Sequence, residues 1–250
     1  MPKYFFIYCL SFIGICNISN AQYGRTYQEI GIMAGPVFFQ SDFGSRDTFE
    51  NYYKNNGFSI GAFYYLSLKG NNNSLTENFK LRLEASYMTA NLKHYGKYVV
   101  NNNLLSRQLQ AMKGSVETIN AGFQIEYYPF KTDDYNRTLI FSPYISAGSQ
   151  VSNYTSSVYS VLGDLGEPTI TPPKYINSFR NESGIAASLT TSIGTRYLLA
   201  DYSALVLDLR TQFYFSDWVD GLNPDSKLYP ENKSNDWSTT INFGYIYYFN

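Results

Sequence analysis

From Phe79 to Thr89 the chain alternates one residue at a time. Phe79, Leu81, Leu83, Ala85 and Tyr87 fall on one side, and Lys80, Arg82, Glu84, Ser86 and Met88 on the other. A strand, whose successive side chains point to opposite faces, separates those sets; a helix would mix them. The same period of two recurs where Phe58-Ile60-Ala62-Tyr64-Leu66 opposes Ser59-Gly61-Phe63-Tyr65-Ser67, and where Ile119-Ala121-Phe123-Ile125-Tyr127 opposes Asn120-Gly122-Gln124-Glu126-Tyr128. Later, Leu205-Leu207-Leu209-Thr211-Phe213-Phe215 opposes Val206-Asp208-Arg210-Gln212-Tyr214. The last segment sets Trp237, Thr239, Ile241, Phe243, Tyr245, Tyr247 and Phe249 against Ser238, Thr240, Asn242, Gly244, Ile246 and Tyr248. Weaker segments near 27–38, 141–152 and 184–198 bring the expected strands to eight.

The links between them alternate as well. Long ones near 39–56, 91–114, 153–183 and 216–236 are interleaved with short ones near 69–77, 129–138 and 199–203. Short turns at one end and long loops at the other are the topology of an outer-membrane barrel with an even strand number. The chain carries 25 Tyr and 18 Phe yet has a mean hydropathy of −0.28. Eight strands with several bulky apolar residues each would overfill an interior that has room only for its own side chains. The apolar face is therefore expected outside, toward lipid, around a narrow polar lumen. The expected fold is all-β, an eight-stranded antiparallel up-and-down transmembrane β-barrel with long extracellular loops. Aromatics near strand ends (Tyr64-Tyr65, Tyr127-Tyr128, Tyr197, and Tyr245-Tyr247-Tyr248-Phe249) are expected in the interfacial girdles.

Residues 1–21 read as a signal peptide: Lys3, an apolar run from Tyr4 to Ile18, and small residues Ser19 and Ala21 before the expected cleavage site. Residues 22–250 then form the barrel, and export points to the outer membrane of a bacterial cell. Cys9 and Cys16 both lie in the leader, which removes disulfides and cysteine metal sites from the mature chain. The formal net charge of −1 and the absence of a basic block argue against nucleic acid. No cofactor or metal is expected; outer-membrane lipid, and other envelope proteins, are the expected partners.

Seven charged residues share the polar face: Lys80, Arg82, Glu84, Glu126, Arg196, Asp208 and Arg210. In a narrow lumen they must pair, because a lone buried charge is heavily penalised. A static salt-bridge plug is the favoured reading, and an ion-selective constriction the alternative. His94, the single histidine, is expected on an exposed loop just past the third strand. It has no serine within two residues; Ser86 and Ser106 are the candidates a lipid-modifying enzyme would need. Asp217, Trp218, Asp220, Asn235 and Asp236 flank the last long link and are candidate partner-binding residues. Trp237 reads as an interface anchor, and region 153–183, with Gly163, Gly166, Pro168, Pro172 and Pro173, as a mobile loop or a lid. The triplet Asn136-Arg137-Thr138 is a chance match.

Several stretches carry a resemblance: Gly35-Pro36-Val37-Phe38-Phe39-Gln40-Ser41-Asp42, Phe79-Lys80-Leu81-Arg82 with Glu84, Leu109 to Gly114, Glu126-Tyr127-Tyr128-Pro129, Gly194-Thr195-Arg196-Tyr197, Asp208-Leu209-Arg210, Phe215 to Pro224, and Asn235 through Tyr248. On these the chain resembles a family of outer-membrane β-barrel proteins from flavobacteria and related Bacteroidota. Some relatives bear the name glutamate dehydrogenase, which does not suit this sequence: it has no Gly-x-Gly-x-x-Gly turn, no βαβ alternation, and an exporting leader. A broader resemblance to PorG-like barrels implies an association with the type IX secretion apparatus. The expected function is a non-enzymatic barrel with a structural or partner-binding role, with a small pore or a lipid-modifying enzyme as alternatives.

Overall fold

A computed structural model of the chain describes residues 27–44, 48–67, 78–130 and 140–249. Residues 1–21, read above as a signal peptide, with both cysteines, and the Asn136 triplet lie outside the described residues. Eight strands are present: β1 (Tyr27–Gln40), β2 (Asn56–Ser67), β3 (Phe79–Lys93), β4 (Met112–Tyr127), β5 (Phe141–Ser160), β6 (Ser183–Ala200), β7 (Ser203–Tyr214) and β8 (Trp237–Tyr248). Each pairs antiparallel with the next, and β8 returns to β1, so the sheet closes into a barrel. Three short helices sit in the long links: α1 (Phe49–Lys54), α2 (Lys97–Val100) and α3 (Leu104–Ala111). The Asn103 side chain caps α3 by accepting the Ser106 amide at 2.8 Å.

The ladder registers fix the barrel's shape. Paired residues followed once around, Glu29, Tyr65, Arg82, Gln124, Gly148, Thr190, Gln212, Ser238, return to β1 at Phe39, a shear of ten residues. Eight strands with a shear of this order tilt by roughly 35–45° and enclose a lumen that side chains fill.

The alternation holds in every strand, but its sense reverses along β3, β4 and β5. On β3 the inward residues Lys80, Arg82 and Glu84 give way to Met88, Ala90 and Leu92, while the outward Phe79, Leu83 and Tyr87 give way to Thr89, Asn91 and Lys93. On β4, Lys113, Ser115 and Glu117 face out toward the loop end, and Ile119, Phe123, Ile125 and Tyr127 nearer the termini. On β5, Val151 is the last outward apolar side chain before Asn153, Thr155 and Ser157. The switch is aligned in neighbouring strands, since Thr89 pairs with Glu117 and Glu117 with Thr155. Below it the barrel is apolar outside and carries its charges inside, beside a small apolar cluster of Met33, Phe63, Val206 and Ile246; above it the arrangement is that of a water-soluble protein. Phe79–Tyr87 matches the roughly 9–11 residues with which a tilted strand crosses hydrocarbon. Aromatics border this belt at both edges, with Phe38, Phe58, Tyr87, Phe213 and Trp237 toward the loops and Phe79, Tyr127, Tyr197, Tyr245 and Tyr247 toward the termini.

Three expectations are corrected here. Tyr65 and Tyr128 are not in the girdles: strand parity turns both into the lumen, where they are buried, and leaves Tyr64 and Tyr127 outside. Tyr248 is likewise half-buried on the inward side. The link expected from residue 153 begins after Ser160, because the polar Asn153, Thr155 and Ser157 are the outer face of a strand that has left the apolar belt. The rest of region 153–183 folds back over the barrel mouth. Tyr175 is buried and donates its hydroxyl to the Asp42 carbonyl at 2.9 Å, and the Arg180 amide donates to the Gly221 carbonyl at 2.8 Å.

That cap has its own apolar core, drawn from the upper strands (Met88, Leu92, Met112, Val116, Val158, Tyr214) and from the links (Phe43, Leu109, Tyr175, Val219, Leu222). Gly114 on β4 makes room for it, as a Cβ there would lie 2.4 Å from the Phe43 ring. Leu92→Ala is expected to cost about 2–5 kcal/mol within the cap. Hydrogen exchange should accelerate in the upper ends of β3 and β4 while the lower strands keep their protection.

Candidate functional site: a charged lattice in the lumen

The inward positions of β1, β3, β4, β6 and β7 bring eight buried charges together in the half of the barrel nearer the termini. Four are carboxylates (Glu29, Glu84, Glu126, Asp208) and four are cations (Lys80, Arg82, Arg196, Arg210). Arg82, fully buried, contacts three acids: Nη1 donates to Glu126 Oε1 at 2.9 Å and to Asp208 Oδ2 at 3.2 Å, and Nε lies 3.2 Å from Glu84 Oε2. Arg196 bridges Glu29 and Glu126, the latter at 2.8 Å. Arg210 bridges Glu84 at 3.0 Å and Asp208 at 3.5 Å, and Lys80 pairs with Glu29. Every carboxylate therefore touches two cations, and the pairs form one connected lattice.

Neutral side chains complete it. The Tyr144 hydroxyl donates to Asp208 Oδ2 at 2.7 Å and the Tyr128 hydroxyl to Glu126 Oε2 at 2.6 Å. Gln124 donates to Glu84 at 2.9 Å, and Gln150 also donates to Glu84. The position of Tyr144 depends on Gly194 of the adjacent strand: a Cβ there would come within 2.5 Å of the phenol ring. Arg196 lies 4.4 Å over the Tyr65 ring, so the misassigned tyrosine is part of the lattice as well. Toward the loops the lumen continues as an amide and hydroxyl layer, where Gln212 donates to Ser152 at 3.0 Å and to Ser188 at 2.9 Å.

All seven charged residues expected from the sequence are in this cluster. Glu29 is the one missed, and two signals pointed to it. It shares inward parity with Gly31 and Met33, against Ile30 and Ile32, and the seven alone carry four positive charges against three negative. A dry lumen requires the fourth carboxylate.

The loop candidates fare differently. Asp220 and Asp236 are fully buried. Asp220 accepts the backbone amides of Asp42 at 2.6 Å and Leu222 at 2.7 Å, while Asp236 accepts that of Asp220 at 3.1 Å. Asn235 donates to the Tyr214 carbonyl at 3.0 Å. Trp218 is half-buried beneath the Arg180 guanidinium, 3.8 Å from its ring, and its Nε1 donates to the Asn223 side chain, which in turn donates to Asp217. These residues tie the last long link into the cap, because the carboxylates of Asp220 and Asp236 satisfy backbone amides that the cap buries.

His94 is buried, not exposed. Its ring lies between Phe43 and Tyr175, with centroids 4.9 and 5.1 Å away, and Nδ1 accepts the Gly44 amide at 2.7 Å. Burial, with Lys174 nearby, lowers its pKa to about 3. Ser106 donates instead to the Tyr98 carbonyl, and Ser86 accepts from Asn120, so neither serine is set beside the imidazole. Among the described residues no group of His, Cys, Asp or Glu could hold a metal ion.

Two outcomes are expected. Arg82→Ala takes one of the two cations from each of three carboxylates and should destabilise the barrel by about 3–5 kcal/mol, more than Lys80→Ala, which takes one from Glu29 alone; urea unfolding in vesicles measures both. For His94, an opened cap takes up a proton below pH 6.5 that the closed cap refuses until about pH 3. The closed state is thus fully favoured above pH 6.5 and loses about 1.4 kcal/mol per pH unit below it. Protection factors around Phe43 and Tyr175, which divide out the intrinsic pH dependence of amide exchange, should fall between pH 7 and 5, and His94→Gln should flatten that dependence.

No family model matches the chain, and no curated protein matches it. Among solved structures, a major outer membrane protein from Thermus thermophilus aligns with a TM-score of 0.50 at 13% identity, over 90% of this chain and 100% of that one. Neisserial surface protein A aligns at 0.47 and 15% identity, and the Yersinia pestis attachment invasion locus protein at 0.44 and 12%, each over 90% of this chain and all of the other. The Thermus likeness is one of fold, and the fold is an eight-stranded antiparallel barrel of the outer-membrane kind.

Proposed function

We propose that this protein is a non-enzymatic barrel of a bacterial outer membrane, with a structural or partner-binding role played by its folded loop cap. The observation that carries the reading is the joint sorting of the two faces: apolar side chains ring the outside of all eight strands, while the inside holds a charge lattice with no net charge, packed against Met33, Phe63, Val206 and Ile246. A water-soluble barrel would place those apolar faces inward. The signal peptide reading agrees with export, and the resemblance to Bacteroidota barrels, PorG-like ones among them, favours a component associated with secretion over an isolated channel. Among the described residues, one surface available to a partner is the α2–α3 link, where Val100 is 83% and Leu104 62% exposed beside Tyr98 and Leu105. It takes the place of the acidic–aromatic stretches, which the cap consumes.

The lattice disfavours the pore reading, since ions would have to pass side chains locked in mutual ion pairs. The lipid-modifying reading loses its support with His94 sealed and unpaired with serine.

The protein should fractionate with outer membranes and migrate on gels as a heat-modifiable band; a soluble periplasmic protein without that shift would refute the proposal. In planar bilayers the native chain should give no steady conductance, with current appearing only in Arg82→Ala or Glu126→Ala. A steady current from the native protein would favour the pore.

A further inference from the structure

Just past the apolar belt, Lys93 of β3 and Lys113 of β4 stand directly opposite each other in the ladder, both on the outward face. Like charges in that position destabilise a sheet. Within the described residues no hydrogen bond or ion pair engages either ammonium. The stretch they bracket, residues 93–113, contains four basic residues (Lys93, Lys97, Arg107, Lys113) and no acidic one. The acid on the outer face of these strand ends, Glu117, lies two outward positions nearer the belt. Folding explains neither the juxtaposition nor the missing counter-charge; an external anion explains both.

Position says which anion. Lys93 lies three outward residues beyond Tyr87, about 20 Å along the strand and, after tilt, roughly 15 Å along the barrel axis. A phospholipid headgroup layer is only about 5–7 Å deep, so even with their stems bent back the ammonium groups sit at the level of something bulkier. A second observation places the neighbouring part of the rim, at β1 and β8, at the interface. Helix α1 lies there against the belt's edge, with Tyr52 stacked 5.0 Å from Trp237 and its ring tilted 6.0 Å from that of Phe38 and with Phe49 76% exposed, and Lys54 reaches from it over Tyr95, two residues past Lys93. Aromatic anchors beside basic side chains are the composition of a membrane–water boundary.

We propose that Lys93 and Lys113 together bind a phosphate group on the sugar headgroup of a glycolipid in the surrounding outer leaflet. The inference rests on the membrane reading above. The full chain is to be reconstituted in phosphatidylcholine bilayers alone, or with added bisphosphorylated lipid A, its dephosphorylated form, or phosphatidylglycerol, and the midpoint of heat modification recorded. Bisphosphorylated lipid A should raise the midpoint by about 4 °C and the other lipids should not, and the rise should vanish in Lys93→Gln/Lys113→Gln, whose midpoint in phosphatidylcholine matches or exceeds that of the native chain. The proposal is overturned if phosphatidylglycerol, the dephosphorylated lipid or free inorganic phosphate gives the same rise, or if the double variant keeps it. Failure to insert into phosphatidylcholine at all would instead refute the membrane reading.

Discussion

Eight strands closed with a shear of ten enclose a lumen that holds side chains and nothing larger. Whatever points inward must satisfy its own polarity there, without bulk water. In this chain the solution is a set of four carboxylates and four cations in which each acid is shared by two bases. The lattice draws on five strands, so it also pins their register: slipping one strand by a residue would turn its charge outward into the apolar belt and leave its partners alone. The plug and the closure of the barrel are thus one feature seen from two sides.

The second organising feature is the reversal of polarity along β3, β4 and β5. A strand that kept its outward apolar face to its tip would carry that face into water. Here Tyr87, Ile119 and Val151 close the belt, Tyr159 at the tip of β5 being the one outward aromatic beyond it on these three strands, and the strands continue as a soluble barrel with Met88, Leu92, Val116 and Val158 inside. The extension gives the links a core to pack against. Asp220, Asp236 and His94 are consumed in holding that packing together, which separates the cap's structural residues from the exposed α2–α3 surface that remains for contact.

Period-two alternation made most of this legible in the sequence, because strand parity is a local property that survives any tertiary arrangement. It placed the outward faces of β2, β3, β4, β7 and β8 and seven of the eight lattice charges. It failed where parity needed an exact register or where the environment changed along a strand. Tyr65 and Tyr128 stand near strand ends, where girdle aromatics are expected, but their own parity sends them inward. Asn153 to Ser157 read as loop because a polar outward face is expected only outside the belt, and it was there that the strand continued. Met88 already stood on the polar face of the first segment, an anomaly that marked the reversal. His94 and the acidic pair could not be placed, since their burial depends on links returning from distant parts of the chain, such as the ones that bring Phe43 and Tyr175 onto His94.

The central claim is that the apolar belt lies in lipid and ends between Tyr87 and Thr89, with the lumen closed beneath the cap. Both cysteines, Cys9 and Cys16, precede β1, so with both replaced single cysteines can be introduced along β3 from residue 79 to 93 and spin-labelled in vesicles. The account predicts high oxygen and low nickel-complex accessibility at outward positions through 87, the reverse at 89, 91 and 93, and low accessibility to both at inward positions 80, 82 and 84. Nickel-complex accessibility at those inward positions, or an outward face that stays equally water-accessible from 79 to 93, would contradict it.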